Sequence, residues 1–148
     1  LQRIDDSNIL SAKHDEEIRK NYLDAIFTIK MVNQYSVIQS TKSFASLLWI
    51  YGQFLVNHNE LIEAIRYLED GKSTFEAIGK CDDQYYQCTT LLGRTYLNLY
   101  LKDRGKYLGY LRKARTVSRY LQDHYYDLGR ARKYAISLKG ELQKYGPY

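Results

Sequence analysis

The chain has 148 residues, 45% of them hydrophobic and 26% charged, the make-up of one packed unit or a slice of something larger. One proline, nine dispersed glycines and two cysteines exclude collagen-like, linker-like and disulfide-stapled classes, and no run of about 18 apolar residues is present to span a bilayer. The net charge of +5 is divided unevenly: residues 1–80 hold nine Lys/Arg against eleven Asp/Glu, residues 81–148 thirteen against six.

Helical period dominates from end to end. The first dozen residues read as the end of a previous helix, around Ile9 to Ala12. Over residues 15–38, Ile18, Tyr22, Ala25, Ile29 and Val32 share one face, and Asp15, Glu16 and Glu17 suit a first turn. Over 42–57 the apolar set is Phe44, Leu47, Leu48, Tyr51 and Leu55. Asn59 is the expected N-cap of the next helix, 60–78, which carries Leu61, Ala64, Ile65, Leu68, Phe75 and Ile78 and stops at Gly79. Residues 83–101 present Cys88, Leu91, Leu92, Tyr96 and Leu99, and Asp103-Arg104-Gly105 reads as a turn. Residues 106–121 present Leu108, Leu111, Ala114, Val117 and Leu121. The last segment, 123–145, presents Leu128, Ala131, Ala135, Leu138, Leu142 and Tyr145 before Gly146-Pro147. No run alternates long enough for a strand. The expected class is all-α, with short links forcing antiparallel neighbours.

Sixteen tyrosines against four phenylalanines and one tryptophan predict half-wet packing seams or a gripping groove, because each ring carries a hydroxyl that needs a partner. The start at Leu1, with no signal-peptide core in residues 1–13, reads as an excised piece. The scarcity of cysteine points to a cytoplasmic address, with a nuclear one as the alternative.

The helices also repeat. Leu47-Leu48-Trp49-Ile50-Tyr51-Gly52-Gln53-Phe54-Leu55 matches Leu91-Leu92-Gly93-Arg94-Thr95-Tyr96 when Gly52 is laid on Gly93, an offset of 41, and Leu128-Gly129-Arg130 starts a third copy. Small residues on paired helices would let them approach closely, with large ones filling the space around the crossing. One unit offers Leu48, Tyr51, Gly52, Leu55, Ala64, Leu68 and Gly71. The next offers Thr89, Leu92, Gly93, Tyr96, Tyr107, Leu111 and Ala114, provided the turn near Arg104 is about two residues longer.

On these residues the chain resembles the tetratricopeptide-repeat family. Its units of about 40 residues exceed the usual 34 or so, as do those of kinesin light chains, polarity scaffolds and bacterial peptide-sensing regulators. The resemblance covers roughly residues 15–145. It implies a single domain over 1–148 in which antiparallel helical hairpins stack as a short right-handed superhelix. It also implies a concave wall of first helices that binds a peptide or partner helix, as in a scaffold or adaptor. The ligand-facing places fall on Ser46, Trp49, Gln53, Val56 and Asn57, on Gln87, Thr90, Arg94, Leu97 and Asn98, and on Asp123, Tyr126, Arg130, Lys133 and Tyr134.

Two coincidences sharpen that wall. Asn57 and Asn98 occupy the same repeat place, where a carboxamide could pair with the backbone of an extended peptide; the plainer alternative is helix C-capping. Arg94 and Arg130 also share a place, from which they could fork onto a carboxylate, or simply lie solvated. Trp49 is either a ligand anchor or part of the core.

The basic half supplies a second reading. Arg112, Arg115 and Arg119 recur at i, i+3 and i+7 with Lys113 beside them, a stripe that could meet phosphate or an acidic partner and so serve nucleic acid. A peptide-sensing transcriptional regulator would combine both readings. The exposed end helix, with Tyr125 and Tyr126, is a candidate homodimer contact.

Chemistry beyond binding finds no foothold. The histidines (His14, His58, His124) and cysteines form no metal-ligand spacing. Cys81 and Cys88, seven apart on a helix, stand about 10 Å apart, too far for a disulfide. No nucleophile elbow, phosphate loop or dinucleotide motif occurs, so neither catalysis nor a cofactor is expected.

Overall fold

The computed structural model describes residues 2–32, 41–79, 81–124 and 129–146, with side chains described for 9–31, 41–79, 81–124 and 132–146. These residues form six α-helices: α1 (Gln2–Val32), α2 (Lys42–Asn57), α3 (Leu61–Ala77), α4 (Asp83–Lys102), α5 (Leu108–Asp123) and α6 (Gly129–Leu142). A 3₁₀ turn over Gln143–Tyr145 follows, and no strand occurs among the described residues. The chain divides into two compact units, Leu1–Gln39 and Ser40–Tyr148.

The first unit is α1. It corrects the expectation of a helix that starts at Asp15. No glycine or proline interrupts residues 2–32, so the segment around Ile9 to Ala12 belongs to the same helix and Asp15, Glu16 and Glu17 lie in its middle. Ile18, Tyr22, Ala25 and Ile29 are half-buried and Ile26 is buried, whereas Ile9, Leu10, Phe27 and Met31 are more than half exposed. Residues 33–38 of the expected segment lie outside the described ones.

The second unit is built from the other five helices. Thr41 caps α2, its hydroxyl accepting from the Phe44 N–H. Asp82 caps α4, its carboxylate accepting from the N–H groups of Gln84 and Tyr85. Burial tends to raise the carboxyl pKa of Asp82. The Lys42 ammonium and the two N–H groups outweigh it and hold the pKa below the usual carboxylate value.

Asn59 does not cap α3. It takes a left-handed conformation at φ 61°, which asparagine tolerates, and this lets the Glu60 N–H reach back to the Leu55 carbonyl (2.9 Å) and close α2. Glu60 then becomes the N-cap residue of α3, without a side-chain capping bond. Gly79, at φ 70°, ends the following turn as expected.

Side-chain bonds fix the helix directions. Glu69 and Glu76 of α3 accept from Tyr96 (2.7 Å) and Tyr85 (2.8 Å) of α4 in reversed order, so these two helices run antiparallel. Near their N-termini, α2 and α4 are joined by Lys42 to Asp82 and by Ser46 to Gln84 (2.5 Å). Tyr134 of α6 reaches Asp83 (3.2 Å), and Ser137 and Glu141 reach Arg94, in ascending order on both helices. Helices α2, α4 and α6 therefore run parallel and side by side, with α3 and α5 packed between consecutive pairs.

The core follows the expected stripes. Leu48, Tyr51, Leu55, Leu68, Phe75, Leu121, Leu138 and Leu142 are fully buried. Leu108 departs from its stripe: as the first residue of α5 it is 62% exposed.

The crossings are close: a Cβ on Gly71 of α3 would stand 3.4 Å from the Trp49 backbone nitrogen and 3.5 Å from the Ala45 carbonyl of α2, while the atoms nearest Gly52 and Gly93 belong to large side chains. A Cβ on Gly52 would meet Leu68 of α3 at 2.6 Å. One on Gly93 would meet Leu138 of α6 at 2.7 Å and Val117 of α5 at 3.0 Å. The glycines thus lie at unequal depths in their hairpins, because α4 continues past Asn98 to Lys102 whereas α2 ends at Asn57. Val117, rather than Leu111, takes the place that Leu68 holds in the first hairpin. Asp103 then shapes the turn, its carboxylate accepting from the Lys106 N–H (3.1 Å) and its carbonyl from Tyr107 (2.9 Å).

Candidate functional site

Three parallel helices present one shallow hollow of about 390 Å³. Its lining comes from Trp49 and Gln53 of α2, Gln87, Thr90, Leu91 and Arg94 of α4, and Tyr134 of α6. All but Leu91 are nominated by the repeat. They converge because positions at helical spacing on one face of each helix line up when the helices run parallel.

The polar groups are largely satisfied from within. Asp83, in the first turn of α4, accepts from Gln87 Nε2 (2.6 Å) and from the Tyr134 hydroxyl (3.2 Å). The Thr90 hydroxyl donates to the Tyr86 carbonyl of its own helix (2.7 Å), so this buried side chain serves as a smooth patch of wall.

Arg94 lines the hollow and is already paired within the fold. Its guanidinium donates to the Ser137 hydroxyl, and its Nε stands 3.2 Å from Glu141 Oε1. Both ion-pair partners are 40% exposed, so the attraction itself contributes about 0–1 kcal/mol. Its effect is to join α4 to α6 along the floor of the hollow.

Asn57 is the last residue of α2 and Asn98 lies a turn inside α4; both are exposed, and neither lines the hollow. Of the other wall positions, Leu97 is buried, Val56 half-buried and Lys133 exposed. Arg130 falls within α6, but its side chain is outside the described ones, as are Tyr125, Tyr126 and Leu128.

The surface left to a ligand combines the Trp49 ring, the Leu91 side chain, the exposed Gln53 carboxamide and the Gln87 carbonyl oxygen with the half-exposed Arg94–Glu141 ion pair. Such a surface suits a hydrogen-bonding chain with apolar side groups.

Leu91, Asp83, Ser137 and Glu141 were missed from the sequence. The Asp83–Gln87 pair has a legible i,i+4 spacing. The ties from Tyr134 to Asp83 and from Arg94 to Glu141 span 51 and 47 positions (134 − 83 and 141 − 94), with no local signature.

The basic stripe lies on α5. Arg112, Lys113 and Arg119 are exposed, and Arg115 is half-buried, donating to the Tyr145 carbonyl (3.2 Å). Lys113 rides over the rings of Tyr110 (5.1 Å) and Tyr96 (5.7 Å). Cys81 is exposed and Cys88 buried, both as free thiols. Among the described residues no group of His, Cys, Asp and Glu could hold a metal ion, and no helix is long and apolar enough to cross a membrane.

Comparison with protein-family models, curated proteins and solved structures finds no match.

Proposed function

We propose that residues 41–146 act as a non-catalytic protein-interaction module of tetratricopeptide-like build. Its α2–α4–α6 wall takes up a peptide or partner helix, in a scaffold or adaptor role. The observation that carries this reading is the convergence of Trp49, Gln53, Gln87 and Tyr134, from three separate helices, on one hollow. Trp49 supplies apolar contact area and Gln53 and Gln87 supply register through carboxamide hydrogen bonds. The parallel course of α2, α4 and α6 supports the stacked-hairpin form that such a wall requires. Arg94 and Tyr134 act as positioning residues.

The test is selection of binders from a displayed library of random peptides, followed by titration of the selected peptide. Gln53→Ala should weaken binding by about tenfold, near 1.4 kcal/mol, with the thermal midpoint unchanged; Trp49→Ala should weaken it at least as much and also lower the midpoint, since the half-buried ring packs against the core. Undiminished affinity in both variants rejects the wall as the binding surface.

A further inference from the structure

Helix α1 offers a surface of a different kind, and the argument for it is independent of the wall. Ile9 and Phe27 stand 18 residues apart (27 − 9), about five whole turns, so they share one line along the helix. Glu16 and Lys20 fall within about 20° of that line, and Lys13 and Leu23 flank it at about 40° on either side. All six are exposed, Phe27 by 63%. Ile18, Tyr22, Ala25 and Ile29, which are half-buried, lie on the opposite side. The exposed line is thus apolar towards both ends and charged in the middle.

The order along this line decides what fits it. Residues 9 and 27, 13 and 23, and 16 and 20 are three pairs with one midpoint, residue 18. A second copy of the helix, laid antiparallel about a two-fold axis at that level, sets each member of a pair against the other. Ile9 meets the partner's Phe27, once at each end of the contact. Glu16 meets the partner's Lys20, and Lys20 meets the partner's Glu16. Leu23 lies under the aliphatic stem of the partner's Lys13. A parallel arrangement would instead place Lys13, Glu16 and Lys20 each against its own like charge.

Apolar and charged residues have separate tasks here. Exposed ion pairs contribute little attraction, and Glu16 and Lys20, four apart, are already neighbours on their own helix. Across the axis they close a ring of two carboxylates and two ammonium groups, which fixes direction and register. The attraction comes from Ile9, Leu23 and Phe27, whose exposed apolar surface leaves water. A partner of another sequence would need this same reversed order of charge, and a second copy has it by symmetry.

We propose that α1 pairs antiparallel with α1 of a second copy of this chain, seating Ile9 against the partner's Phe27 and Glu16 against the partner's Lys20 about an axis level with Ile18.

The experiment is sedimentation equilibrium of the full chain between about 1 and 200 µM. The mass should rise with concentration towards twice 17.5 kDa. Phe27→Glu should weaken association at least about tenfold. Lys20→Glu, which sets two carboxylates against each other across the axis, should weaken it by about tenfold. Adding Glu16→Lys to Lys20→Glu exchanges the charges and should return the affinity to within about threefold of the parent. The substituted residues are exposed, and an unchanged circular dichroism spectrum establishes that each variant is folded; the charge exchange decides the matter alone if Phe27→Glu unfolds. A monomer at every concentration overturns the proposal. So does a dimer that both single variants leave untouched, which assigns association to another surface. Loss in Phe27→Glu without loss in Lys20→Glu overturns the antiparallel register.

Discussion

The Tyr85 hydroxyl lies 2.8 Å from the Glu76 carboxylate, on a ring that is fully buried between helices α3, α4 and α5. The Tyr120 hydroxyl stands at the same distance, and Lys72 lies both 3.1 Å from Glu76 and over the Tyr120 ring at 5.7 Å. Tyr85→Phe keeps the ring and removes the hydrogen bonds, so it should cost about 1–2 kcal/mol in urea unfolding. A double-mutant cycle of Tyr85→Phe with Tyr120→Phe should show coupling of about 0.5–1.5 kcal/mol; additive losses would mean that the two hydroxyls act separately.

The same bonds set a pH response. Burial, then the neighbouring Tyr120 and Glu76, push the Tyr85 phenol far above its ordinary pKa; burial and Glu69 do the same to Tyr96. In the unfolded chain both titrate near 10. Above that pH the unfolded state sheds protons that the folded state keeps. Each tyrosine's contribution is therefore intact below pH 10 and declines as pH rises, by up to about 1.4 kcal/mol per pH unit. Urea midpoints at pH 8 and pH 11 should show the fall in the parent chain and a shallower one in both Tyr85→Phe and Tyr96→Phe.

The helix crossings give a steric prediction. Gly52→Ala and Gly93→Ala should each destabilise by about 1–3 kcal/mol, since the new methyl meets Leu68, or Leu138 with the stiff Val117. Gly140→Ala, in an open stretch of α6 with nothing within 4 Å, should instead stabilise by about 0.5–1 kcal/mol. Thermal midpoints of the three variants check the contrast.

Thr89 offers a substitution of opposite sign. Its side chain is completely buried, and its hydroxyl has no hydrogen-bond partner among the described residues. Thr89→Val should be neutral or stabilise by up to about 1 kcal/mol. Thr95→Val, whose hydroxyl donates to the Leu91 carbonyl at 2.7 Å, should cost about 0.5–1.5 kcal/mol. Paired denaturant melts separate the two.

The thiols should differ in reactivity. Burial pushes the Cys88 thiol up to about 12 and it contacts the Leu68 carbonyl, whereas Cys81 is exposed with a pKa raised more modestly, by burial and Glu76. A disulfide reagent at pH 8 should label Cys81 first and reach Cys88 only on unfolding. Equal native rates would mean that α4 opens freely.

The stripes of α2, α3 and α5 were legible because one face of each helix meets the core and the other meets water, which leaves a helical period in the sequence. Helix α4 blurred that signal. Neighbours on many sides bury Tyr86, Thr90, Leu97 and Tyr100 in addition to its expected face. The hollow was legible in its lining and not in its chemistry. Trp49, Gln53, Gln87, Thr90, Arg94 and Tyr134 follow from position along parallel helices, but the locking of Arg94 by Glu141 depends on how α6 lies against α4. Asn57 and Asn98 keep the same spacing from Gly52 and Gly93, and the extra turn of α4 follows Asn98, which leaves Asn57 at a helix end and Asn98 inside one. The break expected before Asp15 failed for a simpler reason: acidic residues are as content within a helix as at its start when nothing nearby stops it.

The central position of α4 also bears on how the second unit comes apart. In a linear array of repeats each hairpin holds its own bonds and the ends can peel away in turn. Here the tyrosines of one helix bond backward to Glu69 and Glu76 and forward to Tyr120, and Gly93 is wedged by both later helices. Loss of either flanking hairpin would strip partners from the same shared strut, so residues 41–146 should melt in one concerted step rather than fray repeat by repeat.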